Sequence, residues 1–184
     1  MSSCSSFVQH CPQQATSSLV SQSLVGLNHA CHFVITAVPN RPPVGCWLVV
    51  GMLGVRQPLS LQANICIYVG TVIHELMLAV DSYHEHTRND HDDYVTVHLE
   101  NVEEGKEGKF CKDTYWRYVG EDYNHDSIMH YGTYASADWG VAETIVPTDL
   151  NVVLVEAYDK LEMTQADANE INNLYASESA RRKD

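Results

Sequence analysis

Residues Val72 to Thr87 read V-I-H-E-L-M-L-A-V-D-S-Y-H-E-H-T. Val72, Ile73, Leu76, Met77 and Val80 recur at helical spacing, so the stretch predicts a mostly buried helix from Thr71 to about Ser82. His74-Glu75 opens an H-E-x-x-H pattern on that helix. Two histidines four residues apart stand about 6 Å apart along the axis on one face, so both imidazoles reach one ion. A glutamate beside the first holds a metal-bound water as general base, and a catalytic zinc usually takes three protein ligands and one open position. His84 stands where a third ligand comes, but position 78, where the second histidine belongs, is leucine.

Bulk properties bound the alternatives. A length of 184 residues supports one domain, with or without a disordered extension, and 45% hydrophobic residues are enough for a core. No apolar run approaches membrane-spanning length; Leu48 to Val55 is short and broken by Gly51 and Gly54. A formal net charge of −13 argues against nucleic acid as a partner, because that partner demands clustered Lys and Arg. All 24 acidic residues lie at or after Glu75, and Arg41 is the first charged residue of any kind. The first forty residues are Ser-rich and lack both the basic start and the continuous apolar core of a secretory signal. Of the six cysteines, no pair forms C-x-x-C, which argues against a cysteine zinc site; spacing alone leaves disulfide connectivity open.

Three stretches follow. Residues 1–44 are polar, weakly strand-like at Phe33 to Val38, and are expected to be poorly ordered or degenerate. Residues 45–70 read as short strands at Cys46 to Val50 and Ile65 to Val69, ahead of the helix. A polar, acidic stretch then contains a strand at Tyr94 to Val97. Residues 109–160 hold aromatics and turns without clear period. A final helix spans about 164–175: Thr164 with Asp167 three later resembles a capping box, and Ala168, Ile171, Leu174 and Tyr175 supply its apolar stripe. Residues 177–184 read as a charged, solvated tail.

The letters downstream of His74 carry a resemblance. Tyr83-His84-Glu85-His86-Thr87-Arg88 follows at the right distance, and Ser127-Ile128-Met129-His130-Tyr131-Gly132 comes about forty residues later. With Ser60 to Asn64, Gly70 to Met77, Tyr83 to Val97, Tyr118 to Gly132, Glu143 to Pro147 and Ala166 to Tyr175, these resemble the astacin metallopeptidases among the metzincins. The astacin pattern is H-E-x-x-H-x-x-G-x-x-H-E followed by a methionine-containing turn. The resemblance covers roughly residues 45–176. It implies an α+β, zincin-like metzincin fold, with a small N-terminal mixed sheet, an active-site helix and an irregular C-terminal half closed by a final helix. It implies a secreted zinc endopeptidase that hydrolyses internal peptide bonds through a metal-activated water, with peptide or protein as substrate. His74 and His84 would be zinc ligands and Glu75 the general base. Met129 would form the floor under the metal, and Tyr131 would ligate zinc at rest and steady the tetrahedral intermediate. Cys46 would pair with Cys66, leaving Cys31 unpaired or mispaired. The strand at Cys46-Trp47 would edge the cleft, and Glu85 would pair with a mature N-terminal amine. His86, His91, His98 and His125 read as exposed polar residues.

Two positions depart from the pattern. Leu78 offers a metal nothing. Asp81 replaces the glycine at which the helix turns back toward the third ligand, in a left-handed conformation that aspartate tolerates at some cost. As a substitute ligand Asp81 is badly placed, about 10 Å further along the axis than His74. Losing even a group behind a ligand costs about 10–100-fold in metal affinity or activity, so losing an imidazole costs at least that. The expectation is weakened zinc binding and weak or lost activity, limited chiefly by position 78 and secondarily by position 81. The alternative is a pseudopeptidase that keeps the cleft as a binding surface.

Overall fold

The first helix, α1 (Val69–Ala79), forms where the apolar period predicted it and buries Gly70, His74, Glu75, Met77, Leu78 and Ala79. A computed structural model of the chain describes residues 33–36, 45–51, 57–63, 65–113, 120–138 and 141–181. Residues 1–32, with Cys31, and the last three residues of the tail lie outside the described residues. Near the start of α1, a side chain on Gly70 would meet the Ala157 carbonyl oxygen at 1.8 Å and that of Lys160 at 2.4 Å. Only glycine lets the 157–160 turn lie this close to the helix. The far end closes in a Schellman motif: the Asp81 N–H donates to the Leu78 carbonyl at 3.1 Å and the Ser82 N–H to that of Met77 at 3.1 Å. Asp81 takes the left-handed position itself, with φ 69°. The turn is therefore made without glycine.

Three strands cover one side of α1. β1 (Phe33–Thr36) runs parallel to β3 (Gln57–Ser60), and β2 (Trp47–Leu48) pairs antiparallel with β3, giving the order β1-β3-β2. Leu59, Leu61 and Cys66 form the buried layer with Cys46, Leu48, Val72 and Leu76. A disulfide joins Cys46 to Cys66, with Cα atoms 5.8 Å apart. Cys111 is also disulfide-bonded. The expected strand at Ile65 to Val69 is not formed. The Ile65 and Cys66 N–H groups turn back onto the Gln62 carbonyl, and α1 starts at Val69. Ile65, Ile67, Tyr68 and Val69 are exposed, so their β-branched and aromatic side chains find no sheet to fill. The strand beside β2 is instead β3, whose Pro58 argues against a central strand.

Beyond α1 the chain runs through short 3-10 turns to an antiparallel pair, β4 (Val95–Val97) and β5 (Ile145–Pro147). Val95, Val102, Phe110, Tyr123, Ile145 and Leu154 pack around it. The last helix, α2 (Gln165–Arg181), continues past the expected end near 175 into the tail. Its capping box is real: Thr164 Oγ1 accepts the Asp167 N–H at 3.1 Å, and Asp167 Oδ2 accepts the Thr164 N–H at 2.7 Å. Asp167 is 2% exposed and also accepts the Ser127 hydroxyl and the Ile128 N–H. The Lys160 ammonium donates to the Ser127 carbonyl on the same turn. Met77, Leu78, Ile128 and Met129 fill the space between α1, this turn and Ile171 of α2.

Two measurements test this packing. Asp167→Ala strands the donors of Ser127, Ile128 and Thr164 and is expected to cost about 3–5 kcal/mol in urea unfolding, while Asp167→Asn, keeping one acceptor, costs less. Glu170 of α2 accepts a hydrogen bond from the Ser82 hydroxyl at 3.4 Å. Burial, then the Glu85 and Asp167 charges, raise its carboxyl to about 7. The folded chain thus holds the proton more tightly than the unfolded one. That contribution is complete below the unfolded value of about 4.3 and is lost as pH rises through about 7. Glu170→Gln should therefore gain stability relative to the parent between those values and gain nothing at pH 4. A constant difference across the range would contradict this.

Candidate metal centre

α1 and the Asp81 turn bring two imidazoles together, their rings tilted 46° to one another. The His74 Nδ1 lies 2.9 Å from the Ile128 carbonyl oxygen, which only accepts, so Nδ1 carries the proton and Nε2 presents a lone pair. That Nε2 lies 3.2 Å from Nε2 of His84. Nitrogens bound tetrahedrally at about 2.0–2.1 Å to one zinc stand about 3.3 Å apart, so this separation suits a shared ion. Burial is the main cause lowering both histidines below their ordinary value, with the mutual proximity of the two rings adding to the shift at His84. Both are neutral at pH 7, the state a metal requires.

The third position is closed. Leu78, one turn after His74, is 7% exposed and packs with Met77, Ile128 and Met129. Among the described residues no group of three or more His, Cys, Asp or Glu side chains is arranged to hold a metal ion. Asp81 does not replace the missing imidazole: its carboxylate reaches back toward Gly51, where a Cβ would lie 3.2 Å from Oδ1. Tyr131 sets its ring edge-on to His84 at 5.0 Å and stacks on His86 at 4.0 Å. Burial first, then Glu156 and Glu75, raise its phenol to about 12, so it stays protonated at neutral pH. Two imidazoles and a neutral phenol do not make the three-ligand set of a catalytic zinc.

The surrounding groups expected from sequence stand close by. Glu75 is 6% exposed, its Oε2 has no hydrogen-bond partner, and burial raises its carboxyl to about 7. Met129 is fully buried; its N–H donates to the Ser127 hydroxyl and its carbonyl accepts the Glu85 N–H at 3.2 Å. The turn beneath the imidazoles is thus tied to the segment carrying His84. Glu85 itself accepts from the Arg88 guanidinium at 3.0 Å and the Asn124 N–H at 2.8 Å.

Two histidines differ from the sequence expectation of exposure. His86 is fully buried against Phe110 and Tyr131, with Nε2 3.1 Å from the Lys109 carbonyl oxygen. His91 is 5% exposed and bonds the His86 carbonyl through Nδ1. Their rings order the wall behind Tyr131. His130, a turn residue by sequence, is also buried, and its Nε2 accepts the Tyr123 hydroxyl at 2.7 Å. No periodicity marks these positions, so only the packing reveals them.

Comparison with known proteins agrees with this geometry. The family model for Astacin, a peptidase family, matches residues 29–176. Zinc metalloproteinase nas-4 of Caenorhabditis elegans is 38% identical over 137 residues, covering 73% of this chain and 42% of its own length. Astacin-like metalloprotease toxin 1 of Loxosceles intermedia is 36% identical over 135 residues, covering 71% and 50%. The chain therefore spans half or less of these curated relatives. Among solved structures, High choriolytic enzyme 1, a hatching enzyme zinc-protease from Oryzias latipes, superimposes with a TM-score of 0.71 at 29% identity, covering 83% of this chain and 72% of that one. The paired imidazoles, the buried glutamate and the methionine turn beneath them have one common origin: the chain belongs to the astacin family.

Proposed function

We propose that this chain is an astacin-type domain that holds extended peptide in its cleft and hydrolyses it weakly or not at all. The observation that supports this reading is Leu78, packed on Met129 where a third imidazole would stand. β2 lies at the side of its sheet among the described residues, which supports pairing of a peptide strand along its outer flank. His74 and His84 would be the residues that touch a zinc ion, and Glu75 the group that holds and moves a proton. The convergence of those imidazoles beside a glutamate raised to about 7 favours a second reading, in which some endopeptidase activity survives. The Cys46–Cys66 disulfide suits an oxidising compartment, in keeping with a secreted protein.

Repair of position 78 tests both readings. Leu78→His is expected to raise zinc affinity by at least about 10–100-fold and to produce cleavage of an unstructured protein such as unfolded casein. Adding Glu75→Gln should abolish that cleavage without expelling the metal. Asp81→Gly should add little to Leu78→His, because Asp81 already makes the turn that presents His84. A parent chain that cleaves as fast as Leu78→His would refute the proposal and establish the second reading.

A further inference from the structure

Between Thr133-Tyr134 and the stretch 150–159 the surface opens into a groove of about 850 Å³, within the range of about 300–1,000 Å³ usual for ligand clefts. Its apolar lining is unusually bare: Leu150, Val153 and Tyr158 are 86%, 74% and 51% exposed. Contiguous apolar surface of this kind marks a place where something binds. The charges along it share one sign. Glu143, Glu156 and Asp159 line the groove, and no Lys, Arg or His among the described residues does. Lys160 lies close to Glu156, but its ammonium donates to the Ser127 and His130 carbonyls beneath the methionine turn. Glu156 reaches toward the segment that carries Tyr131: a side chain on Gly132, the residue after Tyr131, would come within 2.6 Å of the Glu156 carboxylate.

We propose that this groove receives a peptide segment in which Lys or Arg alternates with aliphatic residues, the aliphatic side chains covering Leu150 and Val153 and the cations facing Glu143, Glu156 and Asp159. The assignment rests on the peptide-binding reading above and names the class of peptide. Complementary charge selects the occupant: an acidic segment meets like charge at each of these carboxylates. A second copy of the chain is disfavoured for the same reason, since its formal net charge is −13.

The test uses the full chain and three fluorescent hexapeptides that alternate leucine with lysine, glutamine or glutamate, measured by anisotropy. The lysine peptide should bind at least about tenfold tighter than the glutamine peptide at low salt, and the preference should collapse near 1 M salt, where screening reaches about 3 Å. The double variant Glu143→Gln/Asp159→Asn alters two exposed side chains and should weaken the lysine peptide about fivefold while leaving the glutamine peptide unchanged. Leu150→Ser/Val153→Ser should weaken both. Equal binding of lysine and glutamine peptides, or indifference to both double variants, would overturn the groove assignment while leaving peptide binding elsewhere in the cleft intact. Failure of all three peptides to bind would defeat both readings. Self-association that the lysine peptide displaces, detected by sedimentation, would assign the groove to a second copy and overturn the proposal.

Discussion

A single buried carboxylate organises the centre of this molecule. Asp167 caps α2 through Thr164 and, from the same side chain, takes the Ser127 hydroxyl and the Ile128 N–H. Orienting Ile128 aims its carbonyl at His74 Nδ1, which fixes the tautomer and turns Nε2 toward His84. Ser127 in turn accepts the Met129 N–H, and the Met129 carbonyl accepts that of Glu85. The final helix, the methionine turn and both histidine-bearing segments are therefore one hydrogen-bonded unit. Each link is a buried polar group whose partner must be present, because leaving it unpaired costs about 1–3 kcal/mol.

This unit explains how protein groups alone hold the imidazole pair in place. Every link from Asp167 to the His74 ring is a hydrogen bond between protein groups. Leu78 then substitutes packing for coordination: it joins Met77, Ile128 and Met129 in an apolar layer with Ile73, Ile171 and Leu48. Burying a leucine contributes about 1.5–3 kcal/mol to that layer. Leu78, at the place of the family pattern's second histidine, thus helps to hold the site's shape.

Much of this is legible in the residues. The apolar period locates α1, Thr164 with Asp167 marks the cap of α2, and the family resemblance leads to His74, Glu75, His84, Met129 and Tyr131, of which the fold brings His74, His84 and Tyr131 together. The shortfalls have physical causes. Ile65 to Val69 reads as a strand by composition, yet the turn at Gln62 and the early start of α1 leave Ile65, Ile67, Tyr68 and Val69 in solvent. Pro58 hides β3, since a proline removes a ladder donor. Asp81 reads as a defect because aspartate is disfavoured at positive φ, but the two Schellman hydrogen bonds impose that conformation. His86 and His91 read as exposed because imidazoles are polar; aromatic stacking and carbonyl acceptors bury them.

The central claim is that the fold keeps the geometry of the centre while Leu78 denies it a tight metal. Elemental analysis of the purified chain after dialysis against a mild chelator measures this directly. The account predicts zinc well below one equivalent per chain, with the chain still folded by circular dichroism. One tightly retained zinc per folded chain would contradict it and require a third protein ligand.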